Sequence, residues 1–416
     1  MIRKTIAILG SGRVGLPLGL VFAKLGFKVY GIDINETAIE LLKKGIMPFI
    51  EDDAGPLLKK LVNKNFFPTS DVSVIGQCDY VVMTLGTPVD ANMNPSLSQI
   101  DAAFNSIKKY LKKDQVLVLR STVSPRTTEY VANLINSTQN LKVGKNFYLA
   151  FCPERIAEGK AIKELFQIPQ IIGGIDKVSA KKAAELFKAL GVKYWITDAI
   201  SAELAKLFTN MYRYISFAIA NEFMILAGNH NRDIYEIINL VNNDYKRGGL
   251  SLPGLTAGAC LFKDGFFLVN DVPFTDLIVS SWKINETVPL FLIDKIKQRM
   301  KLNGKKTVIL GAAFKANIDD TRESLSFKVK KALERECAQV TMHDPLIPKY
   351  NNDFESVLKD ASVIFVATRH DYYAKNLTVE RIRKLAKKDC IICDVWNIFK
   401  NNKIIFSVNS FKKNLK

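Results

Sequence analysis

Two groups of residues in this chain have types and spacings that could do chemistry. Residues 257–265 read AGACLFKDG, with Cys260 among small residues and Lys263 and Asp264 just beyond it. A cysteine in an Ala-Gly-Ala-Cys-Leu-Phe run can be plain core, because a free thiol behaves as a small hydrophobe. Small neighbours also let another molecule approach the sulfur, and the lysine and aspartate bring charge of both signs, as around a reactive thiol. The second group is GSGRVG at 10–15, a GxGxxG pattern with an apolar run before it and a helical pattern after it. Gly10 permits a tight turn, Gly12 lets the backbone approach a pyrophosphate, and Gly15 allows helix to pack on strand, with Arg13 and Val14 of the same turn also expected at the cofactor. Phosphate would sit on the helix amides at the positive end of the dipole. Asp33 closes the next apolar run, where a carboxylate accepts hydrogen bonds from a ribose diol, and Ile34 and Asn35 offer no arginine for a 2′-phosphate. The pattern favours NAD over NADP; a tight turn with no cofactor is the plain alternative.

These residues need elements to position them. TIAIL (5–9), FKVYGID, YVVMTLG, VLVLRST, FYLAFCP and QIIGG alternate with helical segments to about residue 195, which predicts a parallel sheet covered on both faces. From Ser201 to about Asn229 apolar residues at Leu204, Leu207, Phe208, Met211, Ile215, Ile219 and Phe223 mark a long amphipathic helix, with Ser201 as its cap and Glu203 in its first turn. More helix is expected around 232–242 and 274–300. KTVILGAAFK, AQVTMHD, SVIFVAT and CIICDVW then resume the strand–helix alternation. The plan is an α/β domain at 1–197, a helical middle at 198–300 and a second α/β domain at 301–416.

Composition narrows the function classes. With 416 residues, 48% hydrophobic and 24% charged, the chain reads as a soluble protein of two or three domains. No apolar stretch approaches the ~18–20 residues that span a bilayer. The net charge of +18 is spread along helices as lysines, with no basic stripe interleaved with aromatics, so an anionic metabolite fits better than nucleic acid. The six cysteines form no zinc pattern and no metal site is expected; the odd spacing of Cys390 and Cys393 puts their sulfurs on opposite faces of a strand. Reduced thiols and a cytoplasmic location follow.

LGTP at 85–88, RSTVSPRTT at 120–128, CPERIAEGKA at 152–161, ELAKLFTN at 203–210, the cysteine stretch and AFKANIDDTRES at 313–324 now line up in order with the glycine turn. Together they resemble the UDP-sugar 6-dehydrogenases, which include UDP-glucose and UDP-N-acetylhexosamine dehydrogenases, and the resemblance covers nearly the whole chain. It implies an N-terminal Rossmann NAD domain, a central helical dimerisation domain with a long connecting helix, and a C-terminal Rossmann-like UDP domain. It also implies two successive oxidations of the sugar's 6-hydroxymethyl group to a carboxylate, with two NAD+. Cys260 would capture the aldehyde as a thiohemiacetal, later a thioester, and Asp264 would act as base through water. Lys206 alone reads as a solvated helix lysine; the resemblance gives it and Asn210, one turn on, the developing oxyanion. Glu154 and Glu158 would position sugar and hydrolytic water, with Arg155 nearby and Thr122 as hydroxyl partner, and Thr87 and Thr122 would line the nicotinamide. Lys263, Lys315 and Arg322 would meet diphosphates, Lys263 and Arg322 those of the cofactor. Pro253, Gly254 and Gly258 would line the substrate, and Arg247 would reach the substrate of a neighbouring subunit.

The pattern is mixed in one respect. CPER and PQIIGG lean toward the acetamido-sugar enzymes, while AEG and KDG lean toward glucose, and Ala257 stands where a glycine is usual. The expected substrate is therefore UDP-N-acetylmannosamine, UDP-N-acetylglucosamine or UDP-glucose. Two other classes share parts of the pattern: a single-step 3-hydroxyacid-type NAD dehydrogenase, and a non-catalytic nucleotide-binding protein. The first would need neither Cys260 nor a second α/β domain.

Overall fold

The computed structural model describes residues 4–138, 140–272, 274–401 and 403–411. The chain forms two compact units, Met1–Thr209 with Phe266–Pro273, and Asn210–Gly265 with Phe274–Lys416.

The first unit is built on β1 (Thr5–Leu9), β2 (Lys28–Ile32), β3 (Phe66–Thr69), β4 (Tyr80–Met83), β5 (Val116–Leu119), β6 (Tyr148–Phe151), β7 (Gln170–Gly174) and β8 (Tyr194–Asp198). They form one sheet in the order β3-β2-β1-β4-β5-β6-β7-β8. Alternate residues of the strands enter different cores: Ile6, Ile8 and Val82 on one side, Ala7, Leu9 and Val81 on the other. This two-sided burial is why the strands read as unbroken apolar runs. The sheet is not wholly parallel, because β7 runs antiparallel to β6. Between them lies only a four-residue helix, Ala161–Glu164, too short for the crossover that parallel neighbours require.

The second unit carries most of the long helix, the helices Ile234–Asn242 and Asp276–Lys297, and a second sheet. That sheet comprises β9 (Lys306–Leu310), β10 (Gln339–His343), β11 (Val363–Val366), β12 (Ile391–Asp394) and β13 (Ile405–Ser407), ordered β10-β9-β11-β12-β13. Only β13 is antiparallel to its neighbour. Cys390 and Cys393 lie in different cores, on the two faces of this sheet.

The long helix spans Ala199–Asn229. Its cap differs from expectation. Asp198, not Ser201, supplies the capping oxygens, accepting from Ser201 N at 2.8 Å and Ser201 Oγ at 2.7 Å. Glu203, expected in the first turn, has a fixed set of partners. It is buried and accepts from Arg126 N (2.7 Å), Thr128 N (2.8 Å) and Thr128 Oγ1. Burial raises its carboxyl above the usual range against the opposing pull of those hydrogen bonds.

Candidate functional site

In the first unit the glycine turn leaves β1 beside β4, where the strand order reverses and open α/β sheets bind nucleotides. Gly10 has φ +100°, and a Cβ there would stand 2.8 Å from Thr84 O. A Cβ on Gly15 would come within 1.9 Å of Gly10 O and 2.3 Å of Thr84 Oγ1, so the helix Gly15–Lys24 can start here only with glycine. At Gly12 an added Cβ meets nothing within 4 Å, so open space faces the turn. A dinucleotide fits that cradle. Val14 is the residue before the helix, and the Arg13 guanidinium lies 5.0 Å over the Phe49 ring. Asp33 accepts from Ser11 N at 2.8 Å and Asn35 N at 3.0 Å. It therefore clamps the turn, and each carboxylate oxygen retains a lone pair for a ribose hydroxyl.

Three further loops of this unit carry expected site residues. Thr87 Oγ1 donates to Thr122 O at 2.6 Å, bringing the two threonines together. The fully buried Arg120 donates to Glu154 Oε2 (2.9 Å), to Cys152 O (3.0 Å) and to Gln170 Oε1 (3.2 Å). The other Glu154 oxygen accepts from Arg155 N (2.7 Å) and Ile156 N (3.1 Å). Downstream, the Glu51 carboxylate accepts from Gly159 N (2.9 Å) and Ala161 N (2.7 Å). Half-buried Glu158 is thus held between two anchored points.

In the second unit Cys260 is exposed and immediately precedes the helix Leu261–Val269. Asp264, one turn on, shares its face. That carboxylate is fully buried, with Asn210 Nδ2 at 2.6 Å and Lys263 Nζ at 3.0 Å. Gly265 makes the approach possible, since a Cβ there would come within 2.8 Å of Ile278 and 3.0 Å of Met211 Sδ. Lys206 lies one turn before Asn210 on the long helix. Gly258, at φ +111°, packs so closely on Phe314 that a Cβ would lie 2.7 Å from the ring. Beside this turn a cavity of about 560 Å³ is lined by Pro253, Gly254, Phe314, Lys315, Arg369 and Trp396 among others.

The family model for the NAD binding domain of the UDP-glucose/GDP-mannose dehydrogenase family matches residues 4–191, the central domain 200–287 and the UDP binding domain 308–401. A UDP-N-acetyl-D-mannosamine dehydrogenase of Methanocaldococcus jannaschii is 32% identical, over 99% of this chain and 96% of that protein. The chain belongs to the UDP-glucose/GDP-mannose dehydrogenase family. The solved UDP-D-ManNAc dehydrogenase of Pyrococcus horikoshii superimposes with a TM-score of 0.87 at 30% identity, covering 92% of this chain and 93% of that one. A UDP-glucose dehydrogenase of Pyrobaculum islandicum gives 0.83 at 26% identity, covering 90% and 91%.

Within this dehydrogenase the structure gathers some expected residues and diverts others. Asp264, one helical turn from Cys260, and Asn210 come together, as do Thr87 with Thr122, and Pro253, Gly254 and Lys315 around the cavity. Both Glu154 oxygens are engaged by Arg120 and by backbone amides, so Glu154 shapes the loop. The Arg155 guanidinium turns to the Pro169 carbonyl, and burial lowers its pKa. Lys263 pairs with Asp264, Arg322 forks onto Asp320, and neither lines the cavity. Arg247 is exposed, 5.2 Å over the Tyr245 ring. Sequence reading missed Arg120, Glu51, Arg213, Arg369 and Trp396. Arg213 alone carried a signal, since it continues the Lys206–Asn210 face of the long helix at i+3.

Proposed function

We propose that this chain oxidises the C6 hydroxymethyl group of UDP-N-acetylmannosamine to a carboxylate, as an NAD-dependent nucleotide-sugar 6-dehydrogenase. The observation that carries the reading is Cys260. It is exposed at a helix start, with a buried, hydrogen-bonded aspartate one turn on. The sugar rests on the M. jannaschii and P. horikoshii enzymes, both named for mannosamine.

NAD+, held by the Gly10–Gly15 turn and Asp33, supplies the hydride acceptor for both oxidations. The chain's own residues do the rest. Cys260 Sγ adds to the C6 aldehyde carbon, and the carbonyl oxygen gains charge that Lys206 and Asn210 would stabilise. After the second oxidation the carbon is a thioester. Water, deprotonated by Asp264, attacks it and expels the thiolate, leaving the carboxylate and regenerating Cys260. Glu158 positions the sugar and that water. The UDP moiety occupies the cavity beside Gly258, with Lys315 as a cation for its diphosphate.

We also infer a homodimer in the cytoplasm. Phe208, Tyr212, Ile219 and Phe223 form an exposed apolar stripe along the long helix, and a second copy covers such a face. Other apolar residues of the helix face elsewhere, Met224 into the core and Phe217 into the cavity. No helix among the described residues is long and apolar enough to cross a membrane. The test is NADH production from UDP-N-acetylmannosamine, UDP-N-acetylglucosamine, UDP-N-acetylgalactosamine and UDP-glucose side by side. UDP-N-acetylmannosamine should give the highest kcat/KM, and a preference for UDP-glucose would overturn the choice of sugar.

A further inference from the structure

Two of the chain's three histidines are buried in the second sheet domain, outside the chemistry described so far. Asp344, just after β10, is wholly buried. Its Oδ2 accepts from Ala312 N at 2.7 Å and Ala313 N at 3.0 Å, and its Oδ1 from Leu346 N at 2.9 Å. His370 Nε2 lies 3.1 Å from the same Oδ2. The other ring nitrogen, Nδ1, accepts from Asn317 N at 2.9 Å. Asn317 has φ +61°, and its side-chain oxygen accepts from Asp371 N at 3.0 Å. The segment from Ala312 to Asn317 is therefore fastened at its start by Asp344 and at its end by His370.

Between the fastenings lie Phe314, Lys315 and Ala316, all in the wall of the 560 Å³ cavity. Phe314 is also the ring against which Gly258 packs, two residues before Cys260. The tautomer follows from the partners. A backbone N–H donates to Nδ1, so Nδ1 carries no proton and Nε2–H donates to Asp344. Burial pushes the Asp344 carboxyl up, but His370 and the amides of Ala313 and Leu346 outweigh it, leaving an ionised acceptor.

We propose that His370 is a positioning residue for nucleotide-sugar binding, holding the 312–317 loop as a neutral Nε2–H imidazole bridged to Asp344. The bridge keeps Phe314 and Lys315 in the cavity wall and Phe314 against the cysteine turn. Another side chain can replace it only by offering an acceptor where Nδ1 stands. Asparagine does so through Oδ1. Leucine, of similar volume, offers none and leaves the Asn317 amide and one Asp344 lone pair unmatched.

This inference rests on UDP occupying the cavity, so UDP affinity by calorimetry and steady-state kinetics are read together. In His370→Leu the Kd for UDP and the KM for the UDP-sugar should rise about tenfold, the usual cost of one buried hydrogen bond. KM for NAD+ and kcat at saturating sugar should stay within about twofold. His370→Asn should recover most of the loss. A purely structural role would lower Tm and all parameters together, with no rescue by asparagine. If His370→Leu fails to fold, 15N spectra of histidine-labelled wild type decide, with His370 assigned by its loss in His370→Asn. An Nε2–H tautomer whose Nδ1 resonance shifts on adding UDP supports the proposal; an Nδ1–H tautomer, or no response to UDP, overturns it. Wild type that binds no UDP would sink the functional reading and this inference with it. Wild type that binds UDP, beside a folded His370→Leu of equal affinity, would sink this inference alone.

Discussion

Cys260 differs from four of the chain's other cysteines in where its sulfur stands. Burial pushes the thiols of Cys78, Cys152 and Cys390 up to about 12 and raises that of Cys393 well above the usual thiol value, so they stay protonated packing groups. Cys260 is exposed at a helix start. We expect Cys260→Ser to bind UDP-sugar normally and lose turnover almost completely, because a serine alkoxide is much harder to form. Intact mass should show a slowly hydrolysed sugar-nucleotide adduct on that variant. Asp264→Asn should keep alkylation of Cys260 by iodoacetamide and lose about 10²–10⁴-fold in kcat, the range for a missing general base. With Asp33 proposed at the ribose diol, its charge would repel a 2′-phosphate, so NAD+ should exceed NADP+ by more than tenfold in kcat/KM; equal use would contradict that proposal. These residues were legible in the sequence because small neighbours and glycines advertise close approach. The protein partners of Glu154 and Arg155 were not legible, because a charged pair in a loop gives no sign of which groups it meets. Here the partners, Arg120 and the Pro169 carbonyl, lie at least 14 residues away.

At the scale of elements, the strands with both faces buried and the long helix could be located from apolar periodicity. Three edge strands, β3, β8 and β13, could not. β3 contains Pro68, β8 exposes Trp195 and Ile196, and β13 has three residues. Caps were harder, since several side chains near a helix start compete for one role. Asp233 caps the helix Ile234–Asn242, accepting from Tyr235 N at 2.7 Å, and burial raises its pKa to about 6. The folded chain thus holds that proton more tightly than the unfolded one. The group's contribution is fully present below about pH 4 and is lost as pH rises through about 6. Asp233→Asn retains the capping oxygen without the charge. Its urea midpoint relative to wild type should therefore rise between pH 4.5 and pH 7, and a difference independent of pH would contradict the assignment. Glu51→Gln, which weakens the clamp on Gly159 and Ala161, should lower kcat by about tenfold or more while leaving KM for NAD+ unchanged, measured by initial rates.

For the whole molecule, the succession of α/β, helical and α/β segments could be read from the change in periodicity near Ser201 and again after Gly304. The division of the chain inside the long helix, at Thr209 and Asn210, could not, because one continuous helical pattern crosses it. Assembly is the next level. Light scattering at micromolar concentration should give twice the chain mass, and Ile219→Asp with Phe223→Glu should return it to one; a monomeric wild type would contradict the dimer. The central claim is that one thiol carries a sugar through two oxidations at one site. It is tested most directly by counting NADH formed per UDP-N-acetylmannosamine consumed at completion. Two NADH and a C6 carboxylate should form, with no free aldehyde; one NADH per sugar, or undiminished yield from Cys260→Ser, would rule the covalent route out.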